Sequence, residues 1–359
     1  MNRIALFVIS EFPQDPDKDT SYLFMLEAQK RGFDIFIGFH GDIDYTYNRK
    51  EKKINIPILK KAFPVQVLER NDIGKINIYG NSSPDNYEVF TYVNWEDNVK
   101  IINKDYVYRE SDNAVLDYKL LDSAVIFMRS DPPVDDVYLD ACTILESIKD
   151  EVLIVNDPSS LINFNEKLCT LAFPEIIPKT FIFDSPSVDE LRSCVQGFSN
   201  GAVLKPINLC GGEGIQKFSF DDYSSLVLEE QPYIVQEFIN EVYDGDKRVL
   251  LLNGEPIGAI LRKAKDGNFI CNFHSGGTPH KTDITSNDLR ICNEIKSFLI
   301  SNNIFFAGID IIGNKLTEIN ITSPTCVQEI NRANKVKLEE NVLDFIVHKL
   351  DEEFSNAGW

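Results

Sequence analysis

Phe306-Ala307-Gly308-Ile309-Asp310-Ile311-Ile312-Gly313-Asn314-Lys315-Leu316-Thr317-Glu318-Ile319-Asn320 is the stretch that decides the class of this chain. Apolar residues on both sides of Asp310 and around Glu318 read as a strand pair, 305–311 and 315–320, joined by a tight turn. A strand sends successive side chains to opposite faces, so Glu318 and Asn320, two apart, share one face. Asp310 on the adjacent strand adds a second carboxylate. Ile309, Ile311, Ile312 and Ile319 bury that face in part, and buried carboxylates need a partner. Oxygen-only ligands of this kind suit Mg²⁺ held jointly with substrate phosphates, not zinc or copper. The plainer reading, three polar residues on the solvated face of a hairpin, is disfavoured by those isoleucines.

Working upstream, Leu204-Lys205-Pro206 precedes Cys210-Gly211-Gly212-Glu213-Gly214-Ile215. A lysine at a strand end points a fixed positive charge at phosphates, and Gly211, Gly212 and Gly214 let backbone N–H groups approach the same oxygens. By themselves these glycines also fit a plain turn. They make neither a Walker P-loop, since Lys-Ser/Thr does not follow, nor a Rossmann fingerprint, since they open no helix. Arg248 begins and Arg262 ends the two strands of a hairpin across Asn253-Gly254. Two guanidinium groups there could neutralise charge on a transferring phosphoryl group, although each alone reads as a surface arginine.

The rest of the chain sets bounds. Its 359 residues allow two or three domains with their own cores. A net charge of -20 argues against nucleic-acid and anionic-membrane partners. The seven cysteines are scattered, an odd number with no C-x-x-C pair, which is neither a disulfide framework nor a zinc site. The opening apolar run is too short for a signal peptide and reads as a first buried strand, no stretch is long enough to span a membrane, and a reducing cytoplasm is the expected location. A strand at 4–9, a helix at 20–31 and a strand at 33–38 make an opening βαβ unit. Residues 45–117 turn polar and Asn/Tyr/Lys-rich and read as an elaborated β region or insertion. A strand at 123–128, a helix at 138–148 and a strand at 152–155 close the first domain. Downstream come a turn-rich connection over 156–165, a helix around Lys167, strands at 180–183, 202–204 and 233–237, a helix after Ser187, the hairpin, and helices at 288–301 and at the tail.

Several strings resemble the ATP-grasp superfamily, and within it the prokaryotic type of glutathione synthetase. They are Asp19-Thr20-Ser21 leading to Met25–Gly32, Met128-Arg129-Ser130-Asp131-Pro132-Pro133, Asn165-Glu166-Lys167-Leu168, Leu204-Lys205-Pro206, Asp244-Gly245-Asp246-Lys247-Arg248-Val249-Leu250 and Thr317–Cys326. Their order over most of the chain is more specific than any one motif. The resemblance implies an α/β and α+β architecture: a preATP-grasp α/β domain over 1–155, then an ATP-grasp fold whose two α+β subdomains, 156–239 and 240–359, clamp ATP. It implies that Lys167, otherwise a solvated surface lysine, joins Lys205 on the nucleotide phosphates. Gln236 and Glu237 would flank the adenine. Asp310, Glu318 and Asn320 would hold Mg²⁺, with Mn²⁺ as a substitute, and Arg248 and Arg262 would stabilise an acyl phosphate and a tetrahedral adduct. Ser323 and Thr325 would bind the carboxylate of an incoming amino acid, and Ser21 and Arg129 the end of a peptide substrate. The partners implied are small molecules, a carboxylate and an amine, and a homo-oligomer is expected.

The match breaks in the stretch after Arg262, which reads as a flexible loop. In Asp266-Gly267-Asn268-Phe269-Ile270-Cys271-Asn272-Phe273-His274-Ser275-Gly276-Gly277-Thr278-Pro279-His280-Lys281, the substrate-lid residues Asn272, Gly276 and Gly277 fit the family, while Ile270 and Thr278 stand where arginine is expected. Lys281 or His280 could restore the charge. The expected activity is ATP-dependent joining of a carboxylate to an amine, glutathione synthesis first, a sibling amide ligase second, and a non-catalytic ATP-binding protein third. The intact lysines and the Asp310/Glu318/Asn320 set count against the third.

Overall fold

The computed structural model describes residues 3–11, 17–48, 53–67, 76–79, 89–90, 115–265 and 267–356. The chain divides into two compact units, one of residues 1–162, 325–331 and 336–359, the other of residues 163–324 and 332–335.

The first unit is built on one sheet. Ala5 to Val8 are fully buried, which is why β1 (Arg3–Ile9) can sit in the middle of a parallel array. It is flanked by β2 (Phe33–Phe39) on one side and, on the other, by strands at Val125–Met128 and Leu153–Val155, all parallel. Helix α1 (Thr20–Lys30) makes the first crossover; Asp19 caps it by accepting from the Tyr22 amide at 2.6 Å. Beyond β2 the sheet turns antiparallel. The long β4 (Lys53–Val67) pairs with β2, with β3 (Ile43–Asn48), with β5 (Ile76–Tyr79) and with β7 (Val115–Lys119), and β5 pairs with β6 (Val89–Phe90). The described part of the 45–117 region is therefore strand throughout; the remainder of the region lies outside the described residues. The two further parallel strands are β8 (Val125–Met128) and β9 (Leu153–Val155), and α2 (Asp136–Glu146) joins them. Phe7 of β1 stacks on Phe127 of β8 with centroids 4.5 Å apart at the centre of this core. A short helix α3 (Pro158–Asn163) follows β9.

The second unit holds two antiparallel sheets. Strands β10 (Thr180–Phe183), β11 (Ala202–Pro206), β12 (Gln216–Phe218) and β13 (Tyr233–Glu237) form one, in the order β10-β13-β11-β12, and α4 (Val188–Cys194) starts from a capping box of Ser187 and Glu190. Strands β14 (Asp246–Leu252), β15 (Glu255–Lys263), β16 (Thr278–Lys281), β17 (Phe306–Ile312) and β18 (Lys315–Asn320) form the other, in the order β16-β15-β14-β17-β18. Asn253 and Gly254, with φ of 50° and 77°, make the two-residue turn that the sequence signals between β14 and β15. Helix α5 (Ser286–Ser301) is capped by Thr285 and Asp288.

Three features depart from the sequence reading. The end of the lid, Thr278–Lys281, is a strand at the sheet edge with all four residues exposed, where the sequence suggests loop. Lys167 starts no regular helix but stands at the head of a 3₁₀ turn over Leu168–Ala172. The last helix, α7 (Leu338–Asn356), which follows α6 (Val327–Asn334), groups with the first unit rather than with residues 240–324. It buries Val342, Leu343, Ile346 and Leu350, and Arg31 of α1 reaches Asp344 at 2.5 Å and the Glu340 carbonyl at 3.1 Å.

Truncating Phe127 removes the stacked partner of Phe7 and leaves a cavity the flanking strands cannot close. Phe127→Ala should lower stability by about 3–5 kcal/mol, read as a reduced urea midpoint; a midpoint unchanged from wild type would contradict this packing.

Candidate active site

The five-stranded sheet gathers the charged groups on one face through its register. Directly opposed residues of neighbouring strands project to the same side. Asp246 opposes Arg262, Arg248 opposes Asp310, and Asp310 opposes Glu318. Since Asp246 and Arg248 are two apart on β14, and Glu318 and Asn320 two apart on β18, all six side chains share a face. Arg248 holds Asp310 with both ends of its fork, Nε to Oδ1 at 2.5 Å and Nη2 to Oδ2 at 3.1 Å. Arg262 Nη2 lies 2.9 Å from the same Oδ1 and 2.5 Å from Asp246 Oδ2. Both arginines and both aspartates are buried.

This network sets the ionisation of its members. Burial alone would raise Asp310, but the charges and hydrogen bonds of Arg248 and Arg262 overcome it and hold the carboxyl well below its ordinary range. Asp246 has the reverse balance: burial pushes it up to about 6, against the pull of Arg262, and the neighbouring Asp310 charge adds to the rise.

The two lysines come from the other side of the same unit. Lys205, on β11, donates to Gln236 Oε1 at 2.8 Å, and Gln236 in turn donates to Thr180 Oγ1 at 3.3 Å. Burial lowers the Lys205 ammonium, an effect opposed by the Glu318 charge. Lys167 Nζ donates to the carbonyls of Leu209 at 2.5 Å and Ile207 at 3.3 Å and lies 3.4 Å from Glu318 Oε1. So Lys167 is no solvated surface lysine, and Gln236 is buried with its side-chain oxygen committed to Lys205.

Lys167, Lys205, Gly211, Gly212, Gln236, Glu237, Asp246, Asp310 and Glu318 line one cleft of the second unit, of about 870 Å³ including its open mouth. Gly211, Gly212 and Gly214 all have positive φ, between 66° and 87°, which favours glycine. The lid segment closes on this turn. Ile270 Cγ2 would lie 2.6 Å from a Cβ at Gly212, and Ser275 Oγ donates to the Gly211 carbonyl at 3.3 Å. Within the lid, a Cβ at Gly277 would sit 2.0 Å from the Cys271 carbonyl oxygen, so close approach of backbone demands glycine there, while Gly276 is favoured by its left-handed φ of 83°. Ile270 and Asn272 face the cleft, whereas Thr278 is exposed on the edge strand and contacts His280 at 2.9 Å. Asp266 lies outside the described residues.

Asp310, Glu318 and Asn320, which the sequence reading assigns to a metal, offer oxygen atoms from one face, the donor type a hard cation takes. Asn320 donates its amide nitrogen to the Gly308 carbonyl at 3.1 Å, which leaves the amide oxygen as the group offered to an ion. Asp310 is the exception in the set, since both of its oxygens already carry guanidinium contacts and any ion must share them.

Of the substrate candidates, Ser323 is half-buried in the second unit, and Thr325 is exposed and belongs to the first. Ser21 and Arg129 are both buried in the first unit and in contact, Nε donating to Oγ at 3.1 Å, with the guanidinium 5.7 Å from the Phe24 ring centroid. The structure also singles out Glu166 and Asp246, which sit in the quoted motifs without a role of their own in the sequence reading. Their signal was an acid embedded among cations and apolar residues, and only its partners give it meaning.

Residues 166–335 match the ATP-grasp domain of prokaryotic glutathione synthetase, and residues 89–161 match the N-terminal domain of the same enzyme. A glutathione synthetase of Synechococcus elongatus is 32% identical over 342 residues, covering 92% of this chain and 93% of the relative. The chain belongs to the prokaryotic glutathione synthetase family. Another member, from Nostoc sp., is 40% identical over 233 residues, covering 63% of this chain and 71% of its own length. The family's ATP-grasp fold is shared with a D-cycloserine synthetase, DcsG, at a TM-score of 0.54 and 10% identity over 94% of this chain and 99% of that one. A D-alanine-D-alanine ligase from Coxiella burnetii, at 0.51 and 12%, covers 99% and 97%. Membership makes the protein an ATP-dependent ligase, and among the described residues no helix is long and apolar enough to cross a membrane.

Asp310 being lowered by its partners, its contribution to stability is complete above the unfolded-chain value of about 4 and is lost as pH falls below it. The urea midpoint of the wild type should therefore fall more steeply below about pH 4 than that of Asp310→Asn; parallel curves would contradict the two-arginine clamp.

Proposed function

We propose that the protein joins γ-glutamylcysteine to glycine, converting ATP to ADP and phosphate through an acyl phosphate. The observation that carries the reading is the single-face array of Arg248, Arg262, Asp310, Glu318 and Asn320 opposite Lys167 and Lys205, in a chain of this family. The four-stranded and five-stranded sheets are taken as the two subdomains, 156–239 and 240–359 in the sequence reading, that hold the nucleotide. By the same reading the enzyme is cytoplasmic, acts as a homo-oligomer, and uses Mg²⁺ or Mn²⁺.

In this scheme Lys167 and Lys205 bind the nucleotide phosphates, and the backbone of Gly211, Gly212 and Gly214 lies against the same oxygens. Glu318 and Asn320, with Asp310 sharing, would hold Mg²⁺, which when bound supplies charge neutralisation between the phosphates. An oxygen of the peptide carboxylate attacks the γ-phosphorus, the bond to the β-phosphate oxygen breaks, and ADP leaves. The glycine nitrogen then attacks the acyl carbon, the nitrogen gives up its proton, and phosphate departs. Arg262, steadied from both sides by Asp246 and Asp310, presents a fixed cation to the charge that develops on oxygen. No side-chain nucleophile is needed, because positioning and preorganised charge supply the acceleration. Gln236 keeps the Lys205 ammonium directed at the phosphates. The lid, resting on Gly212 through Ile270, keeps water from an intermediate it would hydrolyse. Ser21 and Arg129 are assigned to the peptide substrate, and Ser323 and Thr325 to the incoming carboxylate.

ADP release should require γ-glutamylcysteine and glycine together, with glutathione seen by mass spectrometry; release with neither, or with another pair only, would sink this substrate assignment. Lys205→Ala and Glu318→Ala should each lower turnover at least about 100-fold, measured by coupled ADP assay, and a near-normal rate in either would refute its role.

A further inference from the structure

Asn165-Glu166-Lys167 divides its labour residue by residue. Asn165 Oδ1 accepts from the amides of Lys167 at 3.0 Å and Leu168 at 3.2 Å, which folds the turn. Lys167 extends from that turn to within 3.4 Å of Glu318. Glu166 points instead at the end of β18 along the edge away from β17, on the strand that carries Glu318 and Asn320. Its Oε1 accepts from the amides of Ile321 at 2.7 Å and Thr322 at 2.9 Å and from Thr322 Oγ1 at 2.9 Å. Its own carbonyl accepts from the Ile319 amide at 3.0 Å. β18 is thus held on one edge by β17 and on the other by the Ile176 carbonyl, which accepts from the Leu316 amide at 2.8 Å, and by Glu166. Glu166 holds the strand's end at 319 and the two residues that follow, 321 and 322. Nothing in the activity as derived above uses this carboxylate.

We propose that Glu166 is a positioning residue of the nucleotide and metal site. Its carboxylate pins the end of β18 to the Lys167 turn and so fixes the separation between the Lys167 ammonium and the ligand face of Glu318 and Asn320. The inference rests on the assignment of Glu318 and Asn320 to a metal and of Lys167 to phosphates. Side chains that orient first ligands from behind commonly carry 10–100-fold in metal affinity, because a ligand free to turn must be ordered at the moment of binding (about 10–100-fold). Here the pinned group is a strand end, so Glu318 and Asn320 move together if it is released.

The geometry separates length from charge. Glu166→Gln keeps an oxygen at the end of an arm of the same length and loses the charge. Glu166→Asp keeps the charge and withdraws the oxygen from three donors by one methylene. Calorimetric titration of the whole protein with ATP, with and without Mg²⁺ and with no acceptor substrate, reads the site without reference to which peptide is joined. Glu166→Gln is expected within about 3-fold of wild type, and Glu166→Asp at least about 10-fold weaker in the Mg²⁺-dependent part of ATP affinity. Ligand-free melting temperatures report any structural cost separately. Glu166→Asp binding Mg²⁺ and ATP as wild type, or Glu166→Gln weaker than Glu166→Asp, would overturn the proposal. Glu318→Ala serves as the control: if it too binds normally the metal assignment fails, whereas loss there with normal Glu166→Asp rejects only the positioning role.

Discussion

Asp310 lies buried between two guanidinium groups, and the arrangement of the second unit follows from the need to satisfy it. A carboxylate removed from water is stabilised only if charge partners and hydrogen bonds replace the hydration it lost. Arg248 supplies a two-pronged contact and Arg262 a third, at 2.5, 3.1 and 2.9 Å. Arg262 then brings a second buried acid, Asp246, into the same cluster. Two anions and two cations balance, so the group can be buried in the interior of a protein whose overall charge is strongly negative. Such a cluster is preorganised: its dipoles and charges are in place before any reactant arrives, which is the condition under which electrostatic catalysis is effective.

Opposite this cluster the hydrogen bonds of the lysines go to carbonyl and amide oxygens, and one carboxylate, Glu318, pairs with Lys167 at the longer distance of 3.4 Å. Lys205 rests on Gln236, and Lys167 on the carbonyls of Ile207 and Leu209, with Glu318 at its margin. A cation supported by neutral dipoles keeps much of its field for an incoming anion, as a phosphate-binding group requires. The glycine turn completes this side. Its positive φ values bring backbone close to the cleft, and the lid packs onto it through Ile270 and Ser275. Ile270, Asn272 and Ser275 surround Gly212, so without arginine at position 270 neutral side chains seat the lid on this turn.

Much of the framework was legible along the chain. Strands such as Tyr233–Glu237 and Thr180–Phe183 are found where their apolar runs lie, and Asn253-Gly254 marks its hairpin. Ser187 with Glu190 gives a helix start that needs no tertiary information. The edge strand Thr278–Lys281 was not legible, because its residues are exposed and carry no apolar alternation; only the free edge of β15 makes it a strand. Nor was the place of α7, since an amphipathic helix shows which face it buries but not against what.

The candidate site divides in the same way. By itself the sequence determined which chemistry was present: two lysines, two arginines, three oxygen donors and a glycine turn, since residue type fixes charge, donor set and backbone freedom. It also determined that Glu318 and Asn320 share a face, from the two-residue period of a strand. Tertiary structure alone decided that Asp246, Arg248, Arg262, Asp310 and Glu318 all share that face. Counting back from the Asn253-Gly254 turn without interruption would set Asp246 against Leu261; an irregularity at Leu250/Leu251 shifts the ladder so that it meets Arg262. A second irregularity at Asp310/Ile311 sets Asp310 against Glu318 rather than Thr317. A one-residue slip reverses every side chain beyond it, and no local signal announces a bulge. The physical reason is that bulges are selected by the pairing of whole strands, and here the buried charges of Asp310 and Asp246 are neutralised only in the shifted register.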